Sequence, residues 1–574
     1  MLYLCSIALL ATFSKAQSTA PVVSIQQGNV QGFTSGSLTQ FLGIPFAAPP
    51  LGALRLALPA PPHPFNGTFQ AASKGPACPQ QSGSLSSAFT AVVDNPVLDL
   101  LAILSAVVGD LLSLLGLGPP TTPVAPEPQE DCLTIDVILP AGSTAASKLP
   151  VIFWIYGGGF QFGSTRDNDG TTVVSRSIQL GEPVIYVAAN YRVNAFGFLG
   201  GKEVKAAGVG NLGLQDQRAA LRWVNQNIGA FGGDPTKVTI WGGSAGSVSV
   251  GLHMVTNGGD PEGLFRAAFM ACSNLHSVSG SVIPTQDITA GQPSYDQIVS
   301  LSGCSSSSDT LACLRTVPYQ TLLDAVNQTP SIFSYMSLRL AYTPWTDGVF
   351  LTENAQDLLA NGEYAKIPFI NGDVQDEGTL FSLSNSNITT SDETLAYIKQ
   401  FWFPDASDAQ IATIGTLYPD DITAGSPFNT GTLNAITPEY KRLAALQGDA
   451  FFQAPRRNMF SVTNGVVPHW SYCESLSLCV NHCQLSAKCL LNLPGDFQGA
   501  DYLLNFVNNL DPNVFNNPSA AAPMSSTIFW PQYTAANGTL LTFQDGLIPL
   551  TLAQDNFRSE PIAFLEALSR QFPF

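Results

Sequence analysis

The chain has 574 residues, of which 45% are hydrophobic and 11% are charged, and its formal net charge is −18 at pH 7. This apolar composition is sufficient for a large core and excludes a disordered chain. The negative charge argues against nucleic acid or an anionic membrane surface as a partner.

The first elements in chain order belong to a secretory signal peptide, which we predict at residues 1–16. Residues 2–13 form an apolar run, and Ser14-Lys15-Ala16 supplies a small-x-small cleavage site. A buried N-terminal strand is the alternative, but the mature fold is expected to begin only at Val22. We therefore predict a secreted, extracellular protein in which residues 17–574 form a single domain.

Two further features fit an extracellular chain. Ten cysteines are present, and removal of Cys5 with the signal peptide would leave an odd number, so at least one thiol remains. Cys304 and Cys313 flank a short Ser-rich loop and are the easiest local pair, whereas Cys78 and Cys132 would close a long loop. N-glycosylation sequons occur at Asn66, Asn327, Asn387 and Asn537.

Residues 97–117, VLDLLAILSAVVGDLLSLLGL, form a long apolar segment inside that loop. As a helix, the segment carries one small or polar face and one broad aliphatic face, which predicts an amphipathic helix. A transmembrane span is the alternative, since the length is sufficient. Two aspartates, a glycine and the enclosing loop argue against it, so we expect no transmembrane anchor.

Strand-like and helical segments alternate through the rest of the chain. Continuous apolar runs typical of buried parallel strands occur at residues 150–155, 184–188, 238–241 and 367–370, and residues 216–228 have helical periodicity. This alternation predicts an α/β fold with a mostly parallel central sheet and helices on both faces. The Pro-rich residues 119–128 are interpreted as a loop within the domain.

Two glycine-rich motifs follow predicted strands and suggest acyl-transfer chemistry. Gly242-x-Ser244-x-Gly246 lies between a strand and a helix-compatible segment, which is the context of a nucleophile elbow. Tyr156-Gly-Gly-Gly-Phe160 follows the strand at residues 150–155, and glycines allow the backbone to approach a substrate closely. The N–H groups of Gly158, Gly159 and Ala245 would form an oxyanion hole.

These motifs, together with several others in a fixed order, resemble the cholinesterase-like (type B) carboxylesterase/lipase family, and most closely its extracellular fungal lipases and steryl esterases. The additional motifs are Phe41-Leu-Gly-Ile-Pro-Phe-Ala47, Glu130-Asp-Cys-Leu133, Asn190-Tyr-Arg192, Asn211-Leu-Gly-Leu-Gln-Asp-Gln-Arg218, Phe231-Gly-Gly-Asp-Pro235 and Trp530-Pro-Gln-Tyr533. The resemblance runs from about Val22 to the C-terminus. It implies the α/β-hydrolase fold.

The resemblance also assigns roles to particular residues. It implies the disulfides Cys78–Cys132 and Cys304–Cys313, a catalytic acid at Glu377 in Asp376-Glu-Gly-Thr379, and a lid at about residues 90–120. A carboxylate at this position would orient a histidine and stabilise its imidazolium form. Two residues depart from the family pattern: Tyr156 stands where many members have His, and Gly243 replaces the usual Glu. Neither change removes a backbone donor.

The general base is the missing element of this triad. In this fold the histidine follows the acid along the chain, and the family places it in a Gly-x-Phe-His-Gly-x-Asp pattern. Here the corresponding stretch is Gly495-Asp-Phe-Gln-Gly-Ala-Asp501, so Gln498 occupies the histidine position. Glutamine can accept a hydrogen bond but has no useful pKa for taking a proton.

His469 and His482 are the histidines that follow Glu377, and both are poor substitutes. His469 is predicted on a strand, where a histidine is more often part of the core. His482 lies among Cys473, Cys479, Cys483 and Cys489, a segment for which two local disulfides, with Cys272 as the free thiol, are a better interpretation than a metal site. A third interpretation is that residues 473–491 are not a genuine insertion but the product of a faulty translation of the gene sequence.

We therefore predict a serine carboxylic ester hydrolase that cleaves hydrophobic esters, or lipids at a lipid–water interface, through an acyl-enzyme on Ser244. The alternative is a catalytically impaired or non-catalytic binding member of the same family, because Gln498 replaces the histidine. No metal or organic cofactor is implied. The specific ester and the oligomeric state do not follow from the sequence.

Overall fold

The computed structural model describes residues 20–82, 127–167, 169–271, 280–475, 498–516, 528–544 and 550–574, with Glu474, Ser475 and Gln498 described by their backbone. Several predictions lie outside the described residues. They concern the signal peptide, the amphipathic segment and lid, and the residues Cys272, Cys479, His482, Cys483 and Cys489.

The central feature is an 11-stranded sheet, accompanied by a 3-stranded sheet of β1, β2 and β5. In chain order the strands are β1 Val22–Ile25, β2 Gly28–Gln31, β3 Phe33–Ser35, β4 Leu38–Pro45, β5 Phe69–Gln70, β6 Thr134–Pro140, β7 Leu149–Ile155, β8 Ile185–Ala189, β9 Gly233–Gly243, β10 Ala267–Ala271, β11 Phe369–Val374, β12 His469–Ser475, β13 Thr539–Gln544 and β14 Leu550–Gln554.

The order across the large sheet is β14–β13–β12–β11–β10–β9–β7–β8–β6–β4–β3. The strands from β13 to β8 in this order are parallel to their neighbours. The outer pairs on both sides are antiparallel. We call the edge at which the parallel strands end the carboxyl edge, because the loops that follow β7, β9 and β11 all lie there.

Helices cover both faces of the sheet. They are α1 Thr171–Leu180, α2 Asn194–Phe198, α3 Lys202–Ala207, α4 Leu212–Asn227, α5 Ala245–Val255, α6 Gln292–Leu301, α7 Thr310–Thr316, α8 Tyr319–Asn327, α9 Ala355–Ala360, α10 Thr379–Ser382, α11 Ser391–Tyr397, α12 Asp408–Leu417, α13 Tyr440–Gly448, α14 Ala454–Thr463, α15 Gln498–Asn509 and α16 Ser559–Gln571. Buried residues of α4 and α5 belong to the larger hydrophobic core, and those of α1 and α15 to a second core. A hydrophobic core on each face of one sheet is the arrangement of a three-layer α/β fold, as predicted.

The predicted strands and the predicted helix are all present. The runs at residues 150–155, 184–188, 238–241 and 367–370 correspond to β7, β8, β9 and β11, and residues 216–228 fall almost entirely within α4. β9 begins five residues earlier than predicted, at Gly233, which pairs with Leu149 of β7. The next pair is Val151 with Val238, so the polar Asp234 and Lys237 lie in the irregular part of β9 between these two pairs.

Disulfides join Cys78 to Cys132 and Cys304 to Cys313, with S–S distances of 2.05 and 2.02 Å. Cys473 is buried in β12. The other three cysteines of its predicted group lie outside the described residues, so the two local disulfides stay a prediction. In the part of the chain that the structure describes, none of the helices has the length and hydropathy that membrane spanning requires.

Candidate active site

Ser244 occupies a strained turn between β9 and α5. Its backbone angles are φ 55° and ψ −125°, a region that residues other than glycine rarely adopt. The glycines on either side are required by close packing. A Cβ added to Gly242 would lie 2.3 Å from the carbonyl oxygen of Gly246, and one added to Gly246 would lie 2.0 Å from that of Ile155. The turn therefore has the geometry of a nucleophile elbow.

The loop Gly157-Gly158-Gly159, which we call the glycine loop, lies against this turn. A Cβ added to Gly157 would be 2.7 Å from the Cβ of Ser244, so a side chain there would collide with the serine. Gly158 and Gly159 have φ angles of +107° and +58°, which favour glycine. Among the described residues, no acceptor takes a hydrogen bond from the N–H groups of Gly158 or Gly159. These two donors belong to the loop that contacts Ser244, and Ala245, the third predicted donor, begins α5 directly after the serine.

Glu377 lies in the loop after β11, also at the carboxyl edge and two strands away from β9. Its side chain is buried, and its Oε1 accepts a hydrogen bond of 2.9 Å from the N–H of Val374. The neighbouring Asp376 turns to a different partner, because its Oδ1 accepts hydrogen bonds from the Ser426 hydroxyl and the Phe428 N–H. Glu377 is thus the carboxylate of this loop that is tied to the end of β11.

A small apolar cavity of about 20 Å³ adjoins Ser244. Besides Ser244 and Ala245, it is lined by Gly159, Phe160, Val248, Ile332, Leu338, Leu340, Phe381, Phe451 and Phe452. A space of this size holds about one water molecule. An acyl chain would enter only after the aromatic side chains rotate, and it would then contact an almost entirely apolar surface.

None of the described residues that line this cavity is a histidine. His253 is buried in α5, with its Nε2 2.9 Å from Oε1 of Gln217. His469 lies on a strand, as predicted, and its Nδ1 is 3.2 Å from the Thr463 hydroxyl. It pairs with Phe369, the first residue of β11, so it lies at the opposite edge of the sheet from Glu377. The strand takes five residue steps from Phe369 to Val374, which span roughly 17 Å.

The backbone of Gln498 lies at the start of α15, which packs on β7, β9 and α1. Near its other end, the Val507 carbonyl accepts a hydrogen bond of 2.6 Å from Arg266, the residue before β10. The helix therefore runs antiparallel to the strands and begins toward the carboxyl edge. Asp501 in its first turn forms a buried two-point ion pair with Arg176 of α1, at 2.7 and 2.8 Å. This pair fixes the helix start relative to the sheet.

The two buried histidines are expected to make stability depend on pH. Burial lowers the pKa of His469 to about 4 and that of His253 well below its ordinary value. A histidine whose pKa falls on folding stabilises the protein above pH 6.5, and this contribution is lost as the pH falls toward the folded pKa. Urea unfolding should therefore show a falling free energy between pH 6.5 and 4. His469→Phe should remove about 3 kcal/mol of that change. An unchanged slope in this variant would assign the pH dependence to other groups.

Sequence and structure comparisons relate this chain to known proteins. The carboxylesterase family model matches residues 19–473, so the match does not include Gln498. Secreted lipase 1 of Botryotinia fuckeliana is 40% identical over 96% of this chain and 93% of its own length. Lipase 2 of Diutina rugosa is 39% identical over 98% of each chain. The crystal structure of Aspergillus niger EstA has a TM-score of 0.74 at 26% identity and covers 97% of this chain and 99% of its own. The chain therefore belongs to the carboxylesterase family and is classed among the carboxylic ester hydrolases.

Proposed function

We propose that this chain is a secreted enzyme that hydrolyses hydrophobic carboxylic esters through an acyl-enzyme on Ser244. The single observation that carries the proposal is the contact between the Ser244 turn and the glycine loop, where Gly157 meets the Ser244 side chain. A hydroxyl on a strained turn beside N–H donors that no acceptor among the described residues takes up is the arrangement that acyl transfer needs. Without a hydroxyl, the same loop would only bind an anion.

The steps follow from these positions. The Ser244 Oγ attacks the ester carbonyl carbon and its proton passes to a water molecule, while the carbonyl oxygen becomes an oxyanion held by the N–H groups of Gly158, Gly159 and Ala245. Collapse of this intermediate breaks the bond to the alkoxide, which takes a proton from water and departs as the alcohol, leaving an acyl-enzyme. Water then attacks the acyl carbon, and the acid is released as Ser244 regains its proton.

Hydrophobic esters are the proposed substrate class. The cavity beside Ser244 offers aromatic and aliphatic side chains to an acyl chain, and none of the described residues that line it is charged. The relatives from Botryotinia fuckeliana and Diutina rugosa are named as lipases. Residues 97–117 are proposed as the lid whose apolar face meets lipid, and the signal peptide at residues 1–16 as the route to the extracellular medium.

The base position is assigned to Gln498, and turnover is therefore proposed to be slow. A glutamine amide can hydrogen-bond the Ser244 hydroxyl, but it cannot carry the proton away. The second candidate function, a binding protein without turnover, is favoured by the same residue. Retention of Ser244, Glu377 and the glycine loop favours the enzyme, since a binding role has no need of a strained serine.

Covalent labelling of the serine separates these two functions. A fluorophosphonate should label the unmodified chain slowly, with the label mapped to Ser244 by peptide mass spectrometry, because the oxyanion donors act even without a base. Ser244→Ala should not react. Ser249→Ala is the matched control, because Ser249 lies on the same helix with its hydroxyl bonded to the Ala245 carbonyl, and it should label like the parent. Absence of label in the parent chain would leave the binding protein as the function.

A further inference from the structure

Two buried tyrosines hold the beginning of the glycine loop. Tyr156 directly precedes the three glycines, and Tyr191 lies in the loop that follows β8. Their rings stack with centroids 4.3 Å apart and planes inclined by 16°. The exposed fractions of Tyr156 and Tyr191 are 1% and 0%, so the pair is sealed from water.

The two side chains also exchange hydrogen bonds with each other's backbone. The Tyr156 hydroxyl donates to the Tyr191 carbonyl at 2.9 Å and accepts from the Tyr191 N–H at 2.9 Å. The Tyr191 hydroxyl donates to the Tyr156 carbonyl at 2.7 Å. Buried hydrogen bonds of this kind are costly to break, because no water replaces the lost partner. Each tyrosine thus fixes the peptide of the other.

The Tyr156 carbonyl belongs to the peptide that leads into the glycine loop. A Cβ added to Gly246 would lie 2.8 Å from that carbonyl oxygen, and one added to Gly157 would lie 2.7 Å from the Ser244 Cβ. The peptide between Tyr156 and Gly157 therefore packs directly against the serine turn. The Tyr191 hydroxyl donates to the carbonyl oxygen of this peptide and so restrains it. Rotation of the peptide would change the direction in which the chain enters the glycine loop, and with it the direction of the Gly158 and Gly159 N–H groups.

The far end of the glycine loop is held by Asn194, the first residue of α2, which directly follows the loop that carries Tyr191. The Asn194 N–H donates to the Phe160 carbonyl at 2.6 Å, and the Asn194 amide donates to the Gln161 carbonyl at 3.3 Å. Three consecutive glycines have little conformational preference of their own. Their conformation is consequently imposed from both ends by residues 191–194.

We propose that Tyr156 and Tyr191 are positioning residues for the oxyanion hole. The stacked pair sets the direction of the Gly158 and Gly159 N–H groups, and it acts through them because neither hydroxyl lines the cavity at Ser244. This role rests on the proposed function, since it concerns the intermediate of ester hydrolysis. A histidine before the glycines could not make the same two contacts. Each imidazole nitrogen either donates or accepts a hydrogen bond, whereas the Tyr156 hydroxyl oxygen does both.

Tyr191→Phe is the sharpest test, because it keeps the stacked ring and deletes only the bond to the Tyr156 carbonyl. Each variant is assayed on a soluble short-chain p-nitrophenyl ester and with two inhibitors. A trifluoromethyl ketone accepts the serine oxygen and forms an oxyanion, whereas the matching methyl ketone reports binding of the neutral carbonyl form. Displaced donors should lower kcat and weaken the trifluoromethyl ketone by the same factor, about tenfold, which is less than deletion of a donor costs. KM and the methyl ketone should not change.

Tyr295→Phe is the matched control. Tyr295 is equally buried, and its hydroxyl forms one hydrogen bond of 2.7 Å with Thr310, away from the serine. It should shift the unfolding midpoint as Tyr191→Phe does while leaving both inhibitors unchanged. Tyr156→Phe, which loses two hydrogen bonds, should exceed Tyr191→Phe in its effect on kcat.

The outcomes separate the two claims. If the parent chain is active and Tyr191→Phe weakens both ketones equally or neither, the pair is merely structural and the positioning role is wrong. If the parent chain neither turns over the ester nor takes a fluorophosphonate at Ser244, the proposed function itself is wrong, and the positioning role is overturned with it. An effect on the trifluoromethyl ketone alone supports both.

Discussion

Gln498→His is expected to raise ester hydrolysis by about 10³-fold. The variant supplies the general base that the described residues do not bring to Ser244, and losing the base of such a triad costs several orders of magnitude. Only the neutral imidazole can accept the serine proton, so the rate should fall as the pH drops below a histidine-like pKa of roughly 6.5. Steady-state rates on a soluble ester between pH 5 and pH 9 would measure both effects.

A double-mutant cycle with Glu377 shows whether the new histidine works through the predicted triad. Glu377→Gln should change little in the parent chain, where the acid has no imidazole to orient. In the Gln498→His background it should cancel most of the gain, because the carboxylate would no longer stabilise the imidazolium.

His482→Ala and His276→Ala are the corresponding controls, and each should leave the activity of both backgrounds nearly unchanged. A parent chain that is already fast and is inactivated by His482→Ala would show that the base is His482. The assignment to Gln498 would then be wrong.

The sheet could be predicted from the sequence because its central strands are buried on both faces. A run such as Val151 to Ile155 contains only apolar residues, which is typical of a buried strand, and the glycines that follow mark its end. The Ser244 turn was equally predictable, since the spacing of its glycines reflects clashes with the Gly246 and Ile155 carbonyls. Local steric rules leave a local pattern in the sequence.

Contacts between distant segments left no such pattern. The hydrogen bonds between Tyr156 and Tyr191 join residues that are 35 positions apart. The position of His469 is a similar case, because the sequence predicted a strand but not which edge of the sheet would hold this residue. Only the register with β11 places it far from Glu377. Such facts depend on how strands pair, which alternation of apolar and polar residues does not encode.

A buried charge cluster beneath the Glu377 loop was likewise invisible in the sequence. Arg456 of α14 contacts Asp373 of β11 at 2.6 Å and Asp555 at 2.8 Å, and Arg457 contacts Asp555 as well. Burial raises the pKa of Asp373 to about 6 although Arg456 opposes it. Burial acts on Asp555 too, but the two arginines hold its pKa well below its ordinary value. The loop that carries Glu377 thus starts from a strand end anchored by charges that depend on Arg456.

Arg456→Met is expected to lower the free energy of unfolding by about 3–5 kcal/mol at pH 7, because it leaves two carboxylates buried without their main partner. The loss should shrink at pH 5. Removal of the guanidinium raises the pKa of Asp373 further above its unfolded value, and a group with a raised folded pKa loses stabilisation as the pH rises through that pKa. Urea unfolding at the two pH values measures both effects.

Arg222→Met is the control, since Arg222 is half exposed in its ion pair with Glu262 and its replacement should cost at most about 1 kcal/mol. Equal losses in the two variants would mean that burial of the Arg456 cluster adds nothing to stability. If Arg456→Met is placed in the Gln498→His background and its remaining folded fraction keeps the full gain in ester hydrolysis, Glu377 does not depend on this cluster for its position.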